Sequence, residues 1–165
     1  MRTLEVRSQK SGDRSWRLAV LLTSGFCLLT PLAAQKLDPV HWTLSSDVVK
    51  APDSSIVPLR LTAKLDEGWH LYSLTTPKGG PIPTTAGLAE NPAVESSKLF
   101  QPKPVRKLDP NFNLDTETFE KEAVFLITAE LKKDAPVGPV ELTSQVRYQS
   151  CDDRQCLPPR KKEIK

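Results

Sequence analysis

Cysteine and histidine are scarce in this chain, three and two residues among 165. A zinc-type centre would need more ligands than Cys151, Cys156 and the two histidines supply. No CxxC motif occurs, and no βαβ pattern surrounds the cysteines, which excludes a thioredoxin-type centre. Helical periodicity is also missing: no 3.6-residue apolar stripe lasts more than about two turns. Fourteen of the 15 prolines follow residue 34 and interrupt the chain too often for long helices. No internal repeat or long low-complexity tract is present, and no apolar run after Ala34 is long enough to cross a membrane.

What the N-terminus does have is an address. Arg2, Arg7, Lys10, Arg14 and Arg17 precede a 17-residue apolar run, Leu18–Ala34, that ends in small residues. Basic segment, apolar core and small-residue end predict a secretory signal peptide over residues 1–34, cleaved after Ala34. The alternative is an uncleaved N-terminal membrane anchor. Cys27 follows Phe26 and is read as filler of this segment, not as a lipoprotein cysteine. The whole chain carries 23 Lys and Arg against 20 Asp and Glu, and residues 1–34 take five and two of these. Residues 35–165 are therefore neutral, which gives no electrostatic case for nucleic-acid binding. The basic cluster Arg160, Lys161, Lys162 and Lys165 reads as a solvated strand end. Residues 35–165 suit one domain with a two-layer core.

Strands are the clearest local signal. In VPLRLTAKL, Val57, Leu59, Leu61, Ala63 and Leu65 alternate with polar residues, a period of two with one buried face. VELTSQVRYQ from Val140 alternates in the same way. AVFLITAEL from Ala123 is apolar on both faces at first, as a central strand would be. HWTLSSDVV and WHLYSL are further candidates. Short alternating strands between turn residues predict an all-β fold, an antiparallel β-sandwich with long loops. The segment from Thr75 to Phe119 is rich in Pro, Gly, Asn and charge. It reads as long loops around one or two short strands, and loops of that length are usually functional.

Near the C-terminus, YQSCDDRQCLPP holds Cys151 and Cys156, the last cysteines once the N-terminal segment is set aside. CDDRQC reads as a hairpin whose four-residue loop is closed by the two cysteines, and the geometry permits a disulfide. A six-residue ring contributes about 2 kcal/mol in the chain-entropy model, against nearly 5 kcal/mol for a ring of a hundred. A domain with its own core gains little from so small a staple, and a hairpin-tip disulfide is open to an attacking thiolate. A redox pair is thus favoured over a structural staple, with both readings open. No helix N-terminus lies beside the thiols to lower their pKa values. Asp152 and Asp153 oppose thiol ionisation, Arg154 favours it, and all three serve mainly as turn-formers.

The same stretch resembles the active-site hairpin of the N-terminal periplasmic domain of the thiol–disulfide interchange protein DsbD. That family has Tyr-Gln before the first cysteine, a short polar loop, and Pro-Pro after the second. Gly68-Trp69-His70-Leu71-Tyr72 resembles the family's aromatic strand beside the cysteines, and the likeness covers most of residues 37–165. The resemblance implies an immunoglobulin-like sandwich that relays electrons through its cysteine pair. In the family these pass from a thioredoxin-like domain to periplasmic disulfide isomerases and cytochrome c maturation thioredoxins. It also implies a cap loop whose phenylalanine, counted back from Thr118-Phe119, falls on Phe112. The family's paired acids fall on Pro110 and Asn111, with Asp109 one position back as a possible substitute that modulates thiol ionisation.

The expectation is a periplasmic thiol–disulfide relay, a disulfide-reductase-type oxidoreductase or its relay subunit, needing no cofactor. Its partners are thioredoxin-like donor and acceptor proteins acting in trans, not nucleic acid. Cys151 and Cys156 carry the exchange, with Cys151, at the end of its strand, the expected attacking residue. Phe112 reads equally as cap or as local anchor. Trp69 and Tyr72 read as core or rim packing first and as contacts to sulfur second. His70, a lone strand histidine, is expected to face solvent, with proton acceptance beside the cysteines as its other reading. The competing class is a non-enzymatic binding module with a structural hairpin disulfide.

Overall fold

The computed structural model describes residues 37–46, 55–136 and 138–165; the expected signal segment and Cys27 lie outside them. Eleven strands and no helix form among these residues. One sheet has the order β1-β2-β8-β5, from Val40–Ser46, Ile56–Leu65, Glu122–Leu131 and Val94–Phe100. A second has the order β10-β3-β7-β6, from Ser150–Cys151, His70–Tyr72, Leu114–Glu120 and Val105–Asp109. The third joins β11, β9 and β4, from Arg160–Ile164, Ser144–Tyr148 and Thr85–Leu88. Every pairing is antiparallel.

The alternation legible in the sequence sets the core. Leu59, Leu61 and Ala63 of β2 sit opposite Ile127, Phe125 and Ala123 of β8. With Val40 and Trp42 of β1 they form one face, which meets Leu71, Phe119, Val146 and Tyr148 of the other two sheets in one buried cluster. Burying each large side chain of this kind contributes about 1.5–3 kcal/mol. Trp42 and Phe119 both pack on Phe125, with ring centres 5.9 and 5.6 Å away. The result is the all-β antiparallel sandwich that the alternating strands predict, of the immunoglobulin-like kind that the family resemblance implies.

Three local expectations need correction. The segment from Thr75 to Phe119 holds more strand than the one or two short strands expected, because it contains β4, β5, β6 and most of β7. Strands β5 and β6 lie at sheet edges and are mostly exposed, so backbone pairing holds them without an apolar alternation to mark them. Strand β8 is central in its sheet but buried on one face only, with Leu126 exposed on the other. Strand β9 begins at Ser144 and not at Val140.

The C-terminal basic cluster is not simply solvated. Asp38, just before β1, binds Arg160 Nη1 at 2.8 Å and Lys162 Nζ at 2.6 Å, and accepts a 2.8 Å hydrogen bond from Tyr148. Burial alone would raise the Asp38 pKa; the bonds from Lys162, Tyr148 and Arg160 outweigh it and hold the carboxyl below the usual range. This clamp ties the start of the domain to β9 and β11. Asp38→Asn removes the charge and leaves Arg160, only 12% exposed, without its counterion. The variant is expected to lose about 2 kcal/mol in urea unfolding at pH 7. Because the folded pKa is depressed, the clamp's contribution is full above about pH 4 and lost as the pH falls further. The parent–variant gap should therefore close in acid.

Candidate active site

The cysteines close the predicted hairpin. Strands β9 and β10 are separated only by Gln149, where the chain leaves one sheet for the next. The Gln149 side chain accepts from Ile82 N at 2.9 Å and donates to Leu157 O at 3.3 Å, fixing that step. Leu157 N donates to Ser150 O, and Asp152 N to Gln155 O, on either side of the Cys151–Cys156 pairing. Asp152 Oδ1 accepts from the backbone N–H groups of Arg154 and Gln155, both at 2.7 Å, the turn-forming role its sequence position predicts. Those bonds, the one from Arg154 first, hold its carboxyl below the usual range. Pro158 and Pro159 pass before β11 starts at Arg160 and returns antiparallel to β9. The cysteines form a disulfide, with Cα atoms 4.1 Å apart.

The two sulfur-bearing residues are unequal in exposure. Cys151 is wholly buried (0%), while Cys156 is half-buried in the loop. An outside thiolate therefore has readier access to Cys156 than to Cys151.

Cys151 lies directly opposite His70 in the β10–β3 pairing. Opposed residues of antiparallel strands share a face, as do residues two apart. Cys151, His70 and Tyr72 thus occupy one face of this sheet, and Leu71 and Phe119 occupy the core face. Position 70 pairs with Glu120 and 72 with Thr118, which continue the face into β7; Thr116 and, across β6, Asp109 extend it. His70 is only 4% exposed and Asp109 2%. The expectation that His70 faces solvent is wrong, because β3 is a short strand buried on both sides.

These side chains are joined by hydrogen bonds. Tyr72 donates its hydroxyl hydrogen to Asp109 Oδ2 at 2.6 Å, and Thr116 donates to the same oxygen at 3.4 Å. With its one hydrogen committed, the Tyr72 oxygen accepts from His70 Nε2 at 3.1 Å. That order assigns the Nε2–H tautomer of a neutral ring and leaves the Nδ1 lone pair free to accept. His70 Nε2 lies 3.7 Å from Asp109 Oδ2. Burial pushes the His70 pKa down, and the nearby Asp109 only partly offsets this. Burial, then the bond to Asp109, pushes the Tyr72 pKa up, so its hydroxyl stays protonated. Lys107 binds Glu120 at 2.5 Å at the rim of the same face.

Asp109 also builds the loop above this face. Its Oδ1 accepts from Asn111 N at 2.9 Å and its backbone oxygen from Asn113 N at 2.8 Å. Asn113 adopts the left-handed conformation, with φ of 51°, that closes the β6–β7 hairpin. Within that hairpin Phe112 lies half-buried, its ring edge-on to Tyr72 at 6.2 Å. Asn111 Nδ2 donates to Asp152 O at 2.8 Å, a latch between this hairpin and the cysteine loop. Sequence reasoning missed that latch, since it joins residues 41 positions apart. Phe112, Asp109 and Tyr72 are thus brought together. Trp69 sits half-buried before β3, and among the described residues no hydrogen bond or ring contact joins its side chain to the cluster. No group of three or more His, Cys, Asp and Glu able to hold a metal ion occurs among the described residues.

The buried histidine gives stability a pH dependence. His70 has a lower pKa folded than unfolded, so its contribution is full above about pH 6.5 and lost as the pH falls below it. Urea midpoints should drop between pH 7.5 and 5.5 in the parent, and His70→Gln should flatten that drop. The window lies above the one set by Asp38.

No curated protein matches the chain significantly. Among solved structures, the N-terminal periplasmic domain of ScsB from Proteus mirabilis is similar at 19% identity and TM-score 0.49, over 66% of this chain. The chain spans 40% of that structure's length. The Neisseria meningitidis DsbD N-terminal domain in its reduced form aligns at 15% identity and TM-score 0.39, over 70% of this chain and 87% of that one. A family profile described as thiol:disulfide interchange protein DsbD, N-terminal, matches residues 44–165. On that match, which takes in the sandwich from within β1 to the last residue and includes both cysteines, the chain belongs to the DsbD N-terminal domain family of thiol:disulfide interchange proteins.

Proposed function

We propose that the domain relays electrons between thioredoxin-like proteins through Cys151 and Cys156, in the periplasm after export directed by residues 1–34. The observation that carries the reading is the asymmetry of the pair. One cysteine is buried on the face of a polar cluster, and the other is half-exposed in a loop that Asn111 of the β6–β7 hairpin latches at Asp152. A stabilising staple has no use for such a difference, whereas an exchange centre needs one sulfur to be met and one to leave.

On reduction, a thiolate of the donor attacks Cys156 Sγ, a donor–Cys156 disulfide forms, and the Cys151–Cys156 bond breaks with Cys151 leaving as thiolate. The donor's second thiol then displaces Cys156, so the donor ends as a disulfide and the pair has gained two electrons and two protons. Delivery to an acceptor disulfide reverses these steps. Phe112 and Asn111 act as the cap, because the β6–β7 hairpin must shift from Asp152 for a partner to approach the loop.

Two measurements test this. Alkylation followed by mass measurement should show the pair converting to two thiols on exposure to a reduced thioredoxin-type protein. A disulfide that persists where exposed disulfides are reduced leaves the binding-module reading in its place. Phe112→Ala should speed reduction by a small thiol several-fold, roughly 3- to 10-fold, with little loss of stability, because exchange depends on access to sulfur. Unchanged small-thiol rates would reduce Phe112 to a loop anchor.

A further inference from the structure

Reduced Cys151 has a chemical difficulty that reduced Cys156 escapes. It is a buried thiol at a strand end, and burial disfavours the charged thiolate. The hairpin has no helix N-terminus to lower it. Yet when Cys156 is held in a mixed disulfide with an acceptor, it is Cys151 that must lose a proton and attack.

We propose that His70 is the base that takes this proton through Nδ1, with Tyr72 and Asp109 as its positioning residues. The inference rests on the relay reading above. Three features on β3 and its neighbours carry it. His70 is the residue directly opposite Cys151, which places the two Cβ atoms about 5 Å apart on one face. The Nε2–H is engaged by the Tyr72 oxygen, so the ring's accepting lone pair is on Nδ1. Behind Tyr72 stands the Asp109 carboxylate, 3.7 Å from the ring, where it steadies the imidazolium that forms.

The other charges facing the ring are arranged for a transient base. Glu120, opposite His70 on β7, and Asp153 on the cysteine loop favour the protonated ring, and Lys107, bound to Glu120, opposes it. Burial keeps the resting ring neutral, so it is ready to accept at neutral pH.

The step balances as follows. The Cys151 S–H bond breaks and its proton passes to His70 Nδ1. The Cys151 thiolate attacks Cys156 Sγ, the Cys151–Cys156 bond forms, and the bond from Cys156 to the acceptor sulfur breaks. The acceptor sulfur leaves as a thiolate carrying the electron pair, and the imidazolium later returns its proton to solvent.

The aromatic disulfide dithiobis(nitrobenzoate) tests the step on the reduced full domain. Its first coloured thiolate reports capture of Cys156, and its second reports attack by Cys151. The first rate depends on reagent concentration and the second does not, which separates them. In the parent, the second release should stay nearly level from about pH 8 down to about pH 6.5, the ordinary histidine value, because burial disfavours the charged ring. In His70→Gln it should slow at least about tenfold at pH 7 and fall about tenfold per pH unit below the thiol pKa. The first release should be unchanged. Tyr72→Phe keeps the ring but removes the link to Asp109, and should slow the second release in the same direction. It serves alone if His70→Gln fails to fold. A second-release rate and pH profile equal to the parent's, in whichever variant folds, overturns the assignment of the base while leaving exchange itself intact. A parent that releases no second thiolate removes the relay reading and this inference together.

Discussion

A 2.6 Å hydrogen bond from Tyr72 to Asp109 joins the end of one strand to the end of another 37 residues away. Much of the site hangs from it. Asp109 is the residue on which the β6–β7 hairpin is wound, and Tyr72 is the surface on which Phe112 of that hairpin rests. Tyr72 also fixes the ring of His70, the strand partner of Cys151. One bond therefore orients both the β6–β7 hairpin and the ring opposite the buried cysteine. A buried carboxylate is costly to desolvate unless it is satisfied, and Asp109 accepts from two side chains and from the backbone of its own turn.

Around β3 the second sheet is buried on both faces, for different reasons. Its inner face, Leu71 and Phe119, belongs to the hydrophobic core. Its outer face there is polar and titratable, and Phe112 of the β6–β7 hairpin packs on it at Tyr72. Sheets of this antiparallel kind commonly give their outer face to water. Here the outer face keeps a histidine, a tyrosine and an aspartate out of bulk solvent, where their mutual influence is strongest.

The sequence was most readable where one residue's environment depends on its near neighbours. Strands β1, β2 and β8 show their alternation because one face of each lies on the core, and the cysteine hairpin shows itself because all its determinants are within a dozen residues. Phe112 and Asp109 were reached through the family resemblance, and the structure seats both beside Tyr72. His70 was not readable in this way. Whether a lone strand histidine meets water depends on β7 and β10 on either side and on the cap above, all distant in sequence. The edge strands β5 and β6 were hidden for the opposite reason: backbone pairing alone holds them, and it leaves no side-chain pattern. The acidic end of the Asp38 clamp lies more than a hundred residues from Tyr148 and its basic partners, so the cluster at Arg160 looked free.

The cysteine loop is held by more than its disulfide. Ladder bonds at Ser150 and Asp152, the Asx turn at Asp152 and the Gln149 side chain all close the same hairpin without involving sulfur. Opening the S–S bond removes one crosslink from a loop whose backbone is already constrained. A protein that docks on this hairpin consequently meets nearly the same contour in either oxidation state. Shape then gives a spent partner no signal to depart. On the relay proposed above, turnover then falls to residence time: a domain that serves partners in succession needs short-lived complexes, with a small contact area and fast dissociation.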